Sequence, residues 1–263
     1  MANLNKKIEQ RRLLAQAPEP YSSTHPRWRH SGGGVYLGKA MSLAIFDLDN
    51  TLLAGDSDHR WGEFLCERNC VSAEDYRCKN DQFYAQYQTG SLDMTAYLGF
   101  VLAPLKGKDR REVQELQRDF VRDCIEPMLL DSAFELLNQH RIAGDILLLM
   151  TATHAVVAEP VAARLGFEHW LCSGVGMDHD TYTGAPEGLP CFQEGKVVHL
   201  ERWRAEWAAE GHALPDLQDT WFYSDSHNDL PLLSAVGHPV AVDPDAQLRR
   251  HAEEAGWSIL SLR

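Results

Sequence analysis

The sequence lacks any apolar run that approaches the ~18 residues needed to span a membrane, and its N-terminus lacks the apolar core of a signal peptide. It also lacks a C-x-x-C pair and any cysteine–histidine spacing typical of a zinc finger. These absences argue against a membrane span and a zinc-finger module. They predict a soluble, cytoplasmic protein whose cysteines are reduced thiols: Cys66, Cys70, Cys78, Cys124, Cys172 and Cys191.

Basic residues are scarce relative to acidic ones. The 263 residues include 25 lysines and arginines against 38 aspartates and glutamates, a net charge of −13. A nucleic-acid backbone needs a basic surface, so this balance argues against a nucleic-acid partner. Hydrophobic residues at 44% and charged residues at 24% are ordinary globular proportions. The length predicts one large domain, or a domain with a smaller module.

Residues 1–40 differ from the rest of the chain in charge. Seven basic and two acidic side chains give this segment a charge of +5, which leaves −18 for residues 41–263. Pro18, Pro20 and the glycines at 32–34 favour loops, so we predict a flexible basic N-terminal extension. One interpretation is an arm that contacts a membrane surface or an acidic partner. The simpler one, which we prefer, is an upstream extension with no role in folding.

Short apolar runs alternate with helical patterns along the remaining chain. The runs predict strands at 42–48, 146–150, 168–175, 220–223, 239–242 and 257–262. A hairpin or flap is predicted at 178–184, and helices at 196–210 and 245–255. This alternation predicts an α/β protein with a doubly wound parallel sheet that is covered on both faces.

A helical block at 58–142 interrupts the alternation. Apolar residues such as Trp61 and Phe64 recur there at helical spacings. Because the block is far too long for a crossover between strands, we predict an inserted helical domain. The core is then formed by residues 41–57 and 143–263.

Carboxylates follow two of the predicted strands. Asp47 and Asp49 end the first strand, and Asp225 and Asp229 follow the fourth. The carboxyl ends of parallel strands share one edge of the sheet, so we expect all four carboxylates in one cleft. Without a cation they would repel and raise one another's pKa. Oxygen ligands in this number suit Mg²⁺.

Two further groups accompany these acids. Thr151 ends the second apolar run just before a predicted helix, where a hydroxyl and free backbone amides form an anion cradle. Lys196, next to Gly195 at a predicted helix start, can supply a positive charge. Each feature alone is ordinary, since an Asp-x-Asp at a strand end is usually a turn or a helix cap. Their joint order and placement make a specific pattern.

In this order the residues resemble the four motifs of the haloacid dehalogenase superfamily of phosphohydrolases. The motifs are Asp47-Leu-Asp49-Asn-Thr51, then Thr151, then Lys196, then Asp225 with Asp229. The resemblance covers residues 43–262 and implies a Rossmann-like core. It is closest to the phosphoserine-phosphatase branch, in which a helical cap follows the first motif, as at 58–142. Ser224 and His227 depart from the usual fourth motif, which leaves the roles of His227 and Asn228 open.

The resemblance implies a two-step phosphoryl transfer. Asp47 would attack phosphorus to form an aspartyl-phosphate that water then hydrolyses. Asp49 would act as general acid and then as general base. Mg²⁺ would be held by Asp47, by the backbone carbonyl of Asp49 and by Asp225. An acid two residues after the nucleophile is typical of phosphatases and phosphomutases, so dehalogenases and ion-pumping ATPases are excluded.

The other motif residues have implied roles around the phosphoryl group. Thr151 and Lys196 would bind the phosphoryl oxygens and offset their charge in the transition state. Asp229, together with Asn228, would support the metal or orient Lys196.

Acidic residues beyond the first motif indicate the substrate. In the phosphoserine phosphatases an acidic residue at this point binds the substrate's amino group, and Asp56 aligns with it, with Asp58 close by. An amine-bearing alcohol phosphate is expected, and histidinol phosphate and phosphoserine both fit. No arginine matches the branch's carboxylate clamp, although three are candidates: Arg60, Arg68 and Arg77. We therefore prefer histidinol phosphate slightly. The alternative is that Asp56 and Asp58 are a solvated loop and a helix cap.

Other functions remain open at this point. A phosphomutase or phosphotransferase would use the same motifs, and a non-catalytic binding protein would be expected to have lost one of the acids. A protein or nucleic-acid phosphatase is disfavoured by the cap and by the charge of −18. The expected partner is a small phosphate ester, and the sequence leaves the oligomeric state open.

Overall fold

The computed structural model describes residues 42–263, so the predicted extension at 1–40 lies outside the described residues. The strands are β1 Leu43–Phe46, β2 Ile146–His154, β3 His169–Asp178, β4 Thr181–Glu187, β5 Trp221–Ser224, β6 His238–Val242 and β7 Ser258–Leu260. They form one sheet in the order β4-β3-β2-β1-β5-β6-β7. Only the pair β3–β4 among these neighbours is antiparallel.

β1 is the central strand, and all four of its apolar side chains are buried. Phe46 pairs in register with Leu149 of β2 and with Tyr223 of β5. The chain adds β2 and β3 on one side of β1, then returns to add β5, β6 and β7 on the other. This topology confirms the doubly wound α/β fold. Reversal of the strand order beside β1 opens a crevice at the carboxyl ends of the strands.

Helices cover both faces of the sheet. They are α1 Ser57–Glu67, α2 Ala73–Gln88, α3 Met94–Leu102, α4 Arg110–Phe120, α5 Asp131–Ala143, α6 Ala155–Leu165, α7 Glu194–Ala209, α8 Leu230–Leu233 and α9 Ala246–Ala255. Alternate residues of β1 divide the core: Ala44 and Phe46 join the apolar cluster that includes α1 and α3 to α6, whereas Leu43 and Ile45 join the one that includes α7 to α9. Within residues 42–263, no helix combines the length and apolarity needed to cross a bilayer.

Helices α1 to α5 occupy the stretch between β1 and β2, where the sequence predicts the inserted domain at 58–142. The last of them, α5, lies against the sheet, since Nε2 of His140 is 2.8 Å from the hydroxyl of Tyr223 in β5. The division into a cap at 58–142 and a core stays a prediction.

The main difference from the sequence predictions is at the end of β2. The strand runs on through His154, and α6 begins only at Ala155. Its register with β3 shifts between Met150 and His154, so the chain bulges around Thr151. The predicted strand at 146–150 is therefore too short, whereas the helix predicted after the small residues that follow Thr151 is present as α6. A bulge re-aims side chains, which is why such irregularities are common beside active sites.

Candidate active site

Asp47 and Asp225 emerge side by side where β1 and β5 end. Because Phe46 is in register with Tyr223, the residues that follow start from neighbouring positions. The backbone N–H of Asp47 donates to the carbonyl of Tyr223 at 2.9 Å. The Thr51 hydroxyl lies 3.4 Å from both carboxylates and accepts the N–H of Asp225 at 3.0 Å. Parallel pairing thus brings the first and fourth motifs together.

Lys196 lies between two of the predicted carboxylates. Its side chain is buried, and Nζ donates to Asp47 Oδ1 and to Asp229 Oδ2, both at 2.7 Å. Burial alone would lower the pKa of Lys196, but the charges of Asp229 and Asp47 outweigh it and hold this pKa above its usual value. Lys196 is therefore a buried ammonium that links Asp47 of the first motif to Asp229 of the fourth.

Ser224, which departs from the usual fourth motif, makes hydrogen bonds within that motif. Its hydroxyl donates to Asp229 Oδ2 at 2.7 Å, the same oxygen that receives Lys196. It also accepts the N–H of Ser226 at 3.1 Å. Ser224 thus fixes the carboxylate that orients Lys196.

Asp49 is held by a different set of donors. The N–H of Ser57 reaches one oxygen at 2.6 Å, and the Thr153 hydroxyl reaches the other at 2.5 Å. Burial, with a smaller contribution from the charge of Asp56, raises the pKa of Asp49 to about 7. A carboxyl group with this pKa can both give and take a proton near neutral pH. Sequence reasoning passed over Thr153, although its placement two residues after Thr151 puts both hydroxyls on one side of an extended chain.

Thr151 is buried and lines the same cavity as Asp47 and Lys196. Its hydroxyl accepts the N–H of Thr153 at 3.2 Å, across the bulge that ends β2. Thr151 therefore shares the cavity with Asp47 and Lys196, at the irregular end of β2.

The donor set at this edge fits Mg²⁺. Asp47 and Asp225 supply carboxylate oxygens, and the resemblance adds the backbone carbonyl of Asp49. Within residues 42–263, no group of three or more histidine, cysteine or acidic side chains is arranged to hold a metal ion. Burial, and then repulsion by Asp47 and Asp229, raises the pKa of Asp225. A divalent cation would offset that repulsion.

Asn228 joins the fourth motif to the end of α2. Its amide nitrogen donates to the carbonyl of Tyr87 at 3.3 Å and to the Ser226 hydroxyl at 3.1 Å. Its oxygen accepts from Gln193 at 3.0 Å. Next to it, the His227 ring lies 2.7 Å from the Asp245 carboxylate. In this structure Asn228 therefore contacts the predicted cap segment, while its neighbour Asp229 contacts Lys196.

Replacing Gly90 with alanine is expected to weaken the contact between the fourth motif and the end of α2. Gly90 has φ +70°, and an added Cβ would lie 2.9 Å from Nε2 of His227, a ring that Asp245 holds in place. Gly107→Ala is the matched control, because φ there is +79° but no atom of the described residues lies within 4 Å of the added Cβ. We expect Gly107→Ala to lower the free energy of unfolding in urea by about 1–2 kcal/mol. Gly90→Ala should lower it more and should also raise KM. Equal losses of stability without a change in KM would contradict the contact between position 90 and the His227 ring.

Asp56 and Asp58 both line the cavity, in different settings. Asp56 caps α1 by accepting the N–H of His59 at 2.8 Å, so the helix-cap interpretation holds for it. Asp58 is buried, not solvated, and its Oδ1 lies 3.1 Å from Nε2 of His154. Burial, followed by repulsion from Asp56 and Asp49, raises the pKa of Asp58 well above its ordinary value.

The cavity measures about 580 Å³ including its open mouth. Aromatic side chains form much of its wall: Phe83, Tyr84, Tyr87, Tyr97 and Phe192. Among the described residues that line it, the cationic or ionisable basic side chains are Lys196 and His59.

The three candidate arginines are engaged elsewhere. Arg60 pairs with Glu67 at 2.9 Å, and Arg77 pairs with Glu63 at 2.8 Å. Arg68 pairs with Asp119 at 2.7 Å and with Asp123 at 2.9 Å. No arginine among residues 42–263 lines the cavity. The described walls therefore offer acids and aromatic rings, without a guanidinium clamp for a substrate carboxylate.

Comparison with known proteins agrees with this geometry. Residues 44–234 match the haloacid dehalogenase-like hydrolase family. The chain belongs to this family. A histidinol-phosphatase of Neisseria meningitidis is 40% identical over 223 residues, covering 84% of this chain and 99% of the relative. A phosphoserine phosphatase of Mycobacterium tuberculosis is 33% identical over 225 residues, covering 84% and 71%.

Two solved structures share the fold. A protein of unknown function from Bordetella pertussis Tohama I superposes with a TM-score of 0.77 at 37% identity, covering 86% of this chain and all of that one. A phospho-aspartyl intermediate analogue of phosphoserine phosphatase has a TM-score of 0.62 at 16% identity, covering 86% and 95%, a likeness of fold. The family and the enzyme class predicted from the sequence, a phosphoric monoester hydrolase, are confirmed.

Proposed function

We propose that this enzyme is a Mg²⁺-dependent phosphomonoesterase that acts through an aspartyl-phosphate on a small amine-bearing phosphate ester, with L-histidinol phosphate preferred over phosphoserine. The observation that carries the substrate preference is the composition of the described cavity wall, where Asp56 and Asp58 are present and no arginine is. An amine finds acidic partners there, whereas the carboxylate of phosphoserine finds no guanidinium. The 40% identity to a histidinol-phosphatase supports the same choice.

In this mechanism Asp47 attacks phosphorus, the bond from phosphorus to the ester oxygen breaks, and Asp47 carries the phosphoryl group. Lys196 and Thr151 bind the phosphoryl oxygens, and Lys196 keeps its charge because Asp229 remains at 2.7 Å. Bound Mg²⁺ supplies positive charge that offsets the phosphoryl oxygens and the two carboxylates.

Asp49 moves the proton. Its raised pKa keeps a proton available for the leaving alcohol oxygen. Once the alcohol has left, the Asp49 carboxylate takes a proton from water, the water oxygen bonds to phosphorus, and the bond from Asp47 to phosphorus breaks. Ser57 and Thr153 hold Asp49 in place through both steps. A role in histidine biosynthesis and a cytoplasmic location belong to this proposal.

Phosphate release by the purified enzyme tests the proposal. The substrates are L-histidinol phosphate, L-phosphoserine, phosphoethanolamine and a sugar phosphate, each with Mg²⁺ and with EDTA. We expect L-histidinol phosphate to have the highest kcat/KM and EDTA to abolish release from every ester, since Asp47 and Asp225 would be left without their cation.

Other outcomes separate the rival functions. Activity that survives EDTA would contradict the Mg²⁺ requirement, and a preference for phosphoserine would contradict the substrate choice. Transfer of the phosphoryl group to a second alcohol, in place of release to water, would identify a phosphomutase or phosphotransferase. Binding without release or transfer would identify a non-catalytic protein.

A further inference from the structure

A buried amide that the proposed mechanism does not use lies where α1 packs on α2. Gly62 of α1 approaches α2 so closely that an added Cβ would lie 2.7 Å from Nδ2 of Asn80. Asn80 is only 1% exposed, yet it lines the same cavity as Asp47. Buried polar groups are normally hydrogen-bonded, so the partners of Asn80 indicate what it binds.

The amide of Asn80 is satisfied at one end only. Its Nδ2 donates to the backbone carbonyl of His59 at 3.2 Å. Because a carbonyl oxygen only accepts hydrogen bonds, this contact settles which end of the amide is the NH₂ group. Oδ1 is buried and has no hydrogen-bond partner among residues 42–263. It therefore needs a donor that the described side chains around it do not supply.

Asp58 contributes a second acceptor to the same cavity. Its Oδ1 is 3.1 Å from Nε2 of His154 but outside hydrogen-bond geometry. Burial lowers the pKa of His154 to about 3, so this ring is neutral and leaves the pKa of Asp58 raised. A cationic donor in the cavity would favour the ionised carboxylate of Asp58.

The aromatic wall limits the shape of that donor. Tyr84 and Tyr97 line the cavity together with Asn80 and Asp58. Aromatic rings stack on flat groups and attract cations to their faces. The combination of two acceptors with aromatic faces matches a flat cation that carries N–H groups.

We propose that Asn80 Oδ1 and the Asp58 carboxylate form a subsite that accepts two N–H donors from a flat, protonated nitrogen heterocycle at the far end of the substrate. Asn80 is then a residue that determines specificity through binding, without contact to the reacting phosphorus. The inference rests on the proposed function for the phosphate end of the ester.

Binding and turnover are measured separately, so that the two proposals can fail independently. Calorimetry in Mg²⁺ buffer uses the Asp47→Asn protein and two esters, L-histidinol phosphate and L-phenylalaninol phosphate, which keeps the amine and a similar reach but has no N–H donor in its ring. Adding Asn80→Leu is expected to weaken the binding of L-histidinol phosphate about tenfold and to leave L-phenylalaninol phosphate nearly unchanged. Asn138→Leu, at an exposed position of α5, is the matched control.

Two more variants keep the test decisive if Asn80→Leu does not fold. Asn80→Asp retains an acceptor at this position and should keep the preference for L-histidinol phosphate. Asp58→Asn removes the carboxylate with little change in shape and should weaken that preference. Equal losses for both esters, or no loss for either, would overturn the subsite.

Turnover by the wild-type enzyme decides the proposed function. Release of phosphate with a preference that does not depend on Asn80 would leave the function standing and remove the subsite. An Asn80-dependent binding preference without phosphate release would leave the subsite and remove the function.

Discussion

Replacing Asp47 with asparagine is expected to lower phosphate release by about 10⁴-fold or more, because an amide oxygen cannot serve as the nucleophile. The protein should remain folded. Lys196 keeps Asp229 as a partner at 2.7 Å, so no buried ammonium is left alone. The measurement is kcat for phosphate release in Mg²⁺, with the thermal unfolding midpoint of the same sample.

Asp178→Asn is the control for this variant. Asp178 ends β3 with a side chain that is 84% exposed, so the same chemical change occurs away from the cavity. We expect its kcat to match the wild type. An Asp47→Asn protein that retained more than a tenth of wild-type activity would show that another group forms the bond to phosphorus.

Replacing Lys196 with methionine is expected to destabilise the protein by about 3–5 kcal/mol and to abolish activity. The side chains of Asp47 and Asp229 are 7% and 3% exposed, and each receives a 2.7 Å hydrogen bond from Nζ. Methionine fills a similar volume without the charge, so both carboxylates lose their common partner in a site of low polarity. Urea unfolding in Mg²⁺-free buffer measures the loss.

Two further variants test whether the stability lost in Lys196→Met is due to the loss of charge. Lys79→Met removes an exposed lysine from α2 and should change the unfolding free energy little. Adding Asp229→Asn to Lys196→Met removes one uncompensated carboxylate, so we expect it to restore part of the stability without restoring activity. A double variant less stable than Lys196→Met alone would mean that packing, and not charge, explains the loss.

Local patterns were sufficient to predict the central strand and the acids beside it. Within the run at 42–48, residues 43–46 are apolar on both faces, as expected of a strand covered on both sides, and β1 is buried accordingly. Asp47 and Asp225 each follow such a run, so their positions at one edge of the sheet could be expected from the chain alone.

Local patterns failed where neighbouring elements decide the backbone. The apolar run predicts a strand that ends at Met150, but pairing with β3 extends β2 to His154 through a bulge. Whether a strand continues depends on its partner, and the partner is set by the sheet. The small residues after Thr151 contain no signal of that pairing.

By itself, the sequence determined which reactive groups this protein has and the order in which they follow strands and helices. Only the tertiary structure decided how they pair. Lys196 bridges Asp47 and Asp229 across 149 and 33 residues. The same holds for Asn80: its side-chain oxygen, which no described residue hydrogen-bonds, is buried where α1 packs against α2. Burial and hydrogen-bond partners are properties of contacts between distant segments, and no single segment encodes them.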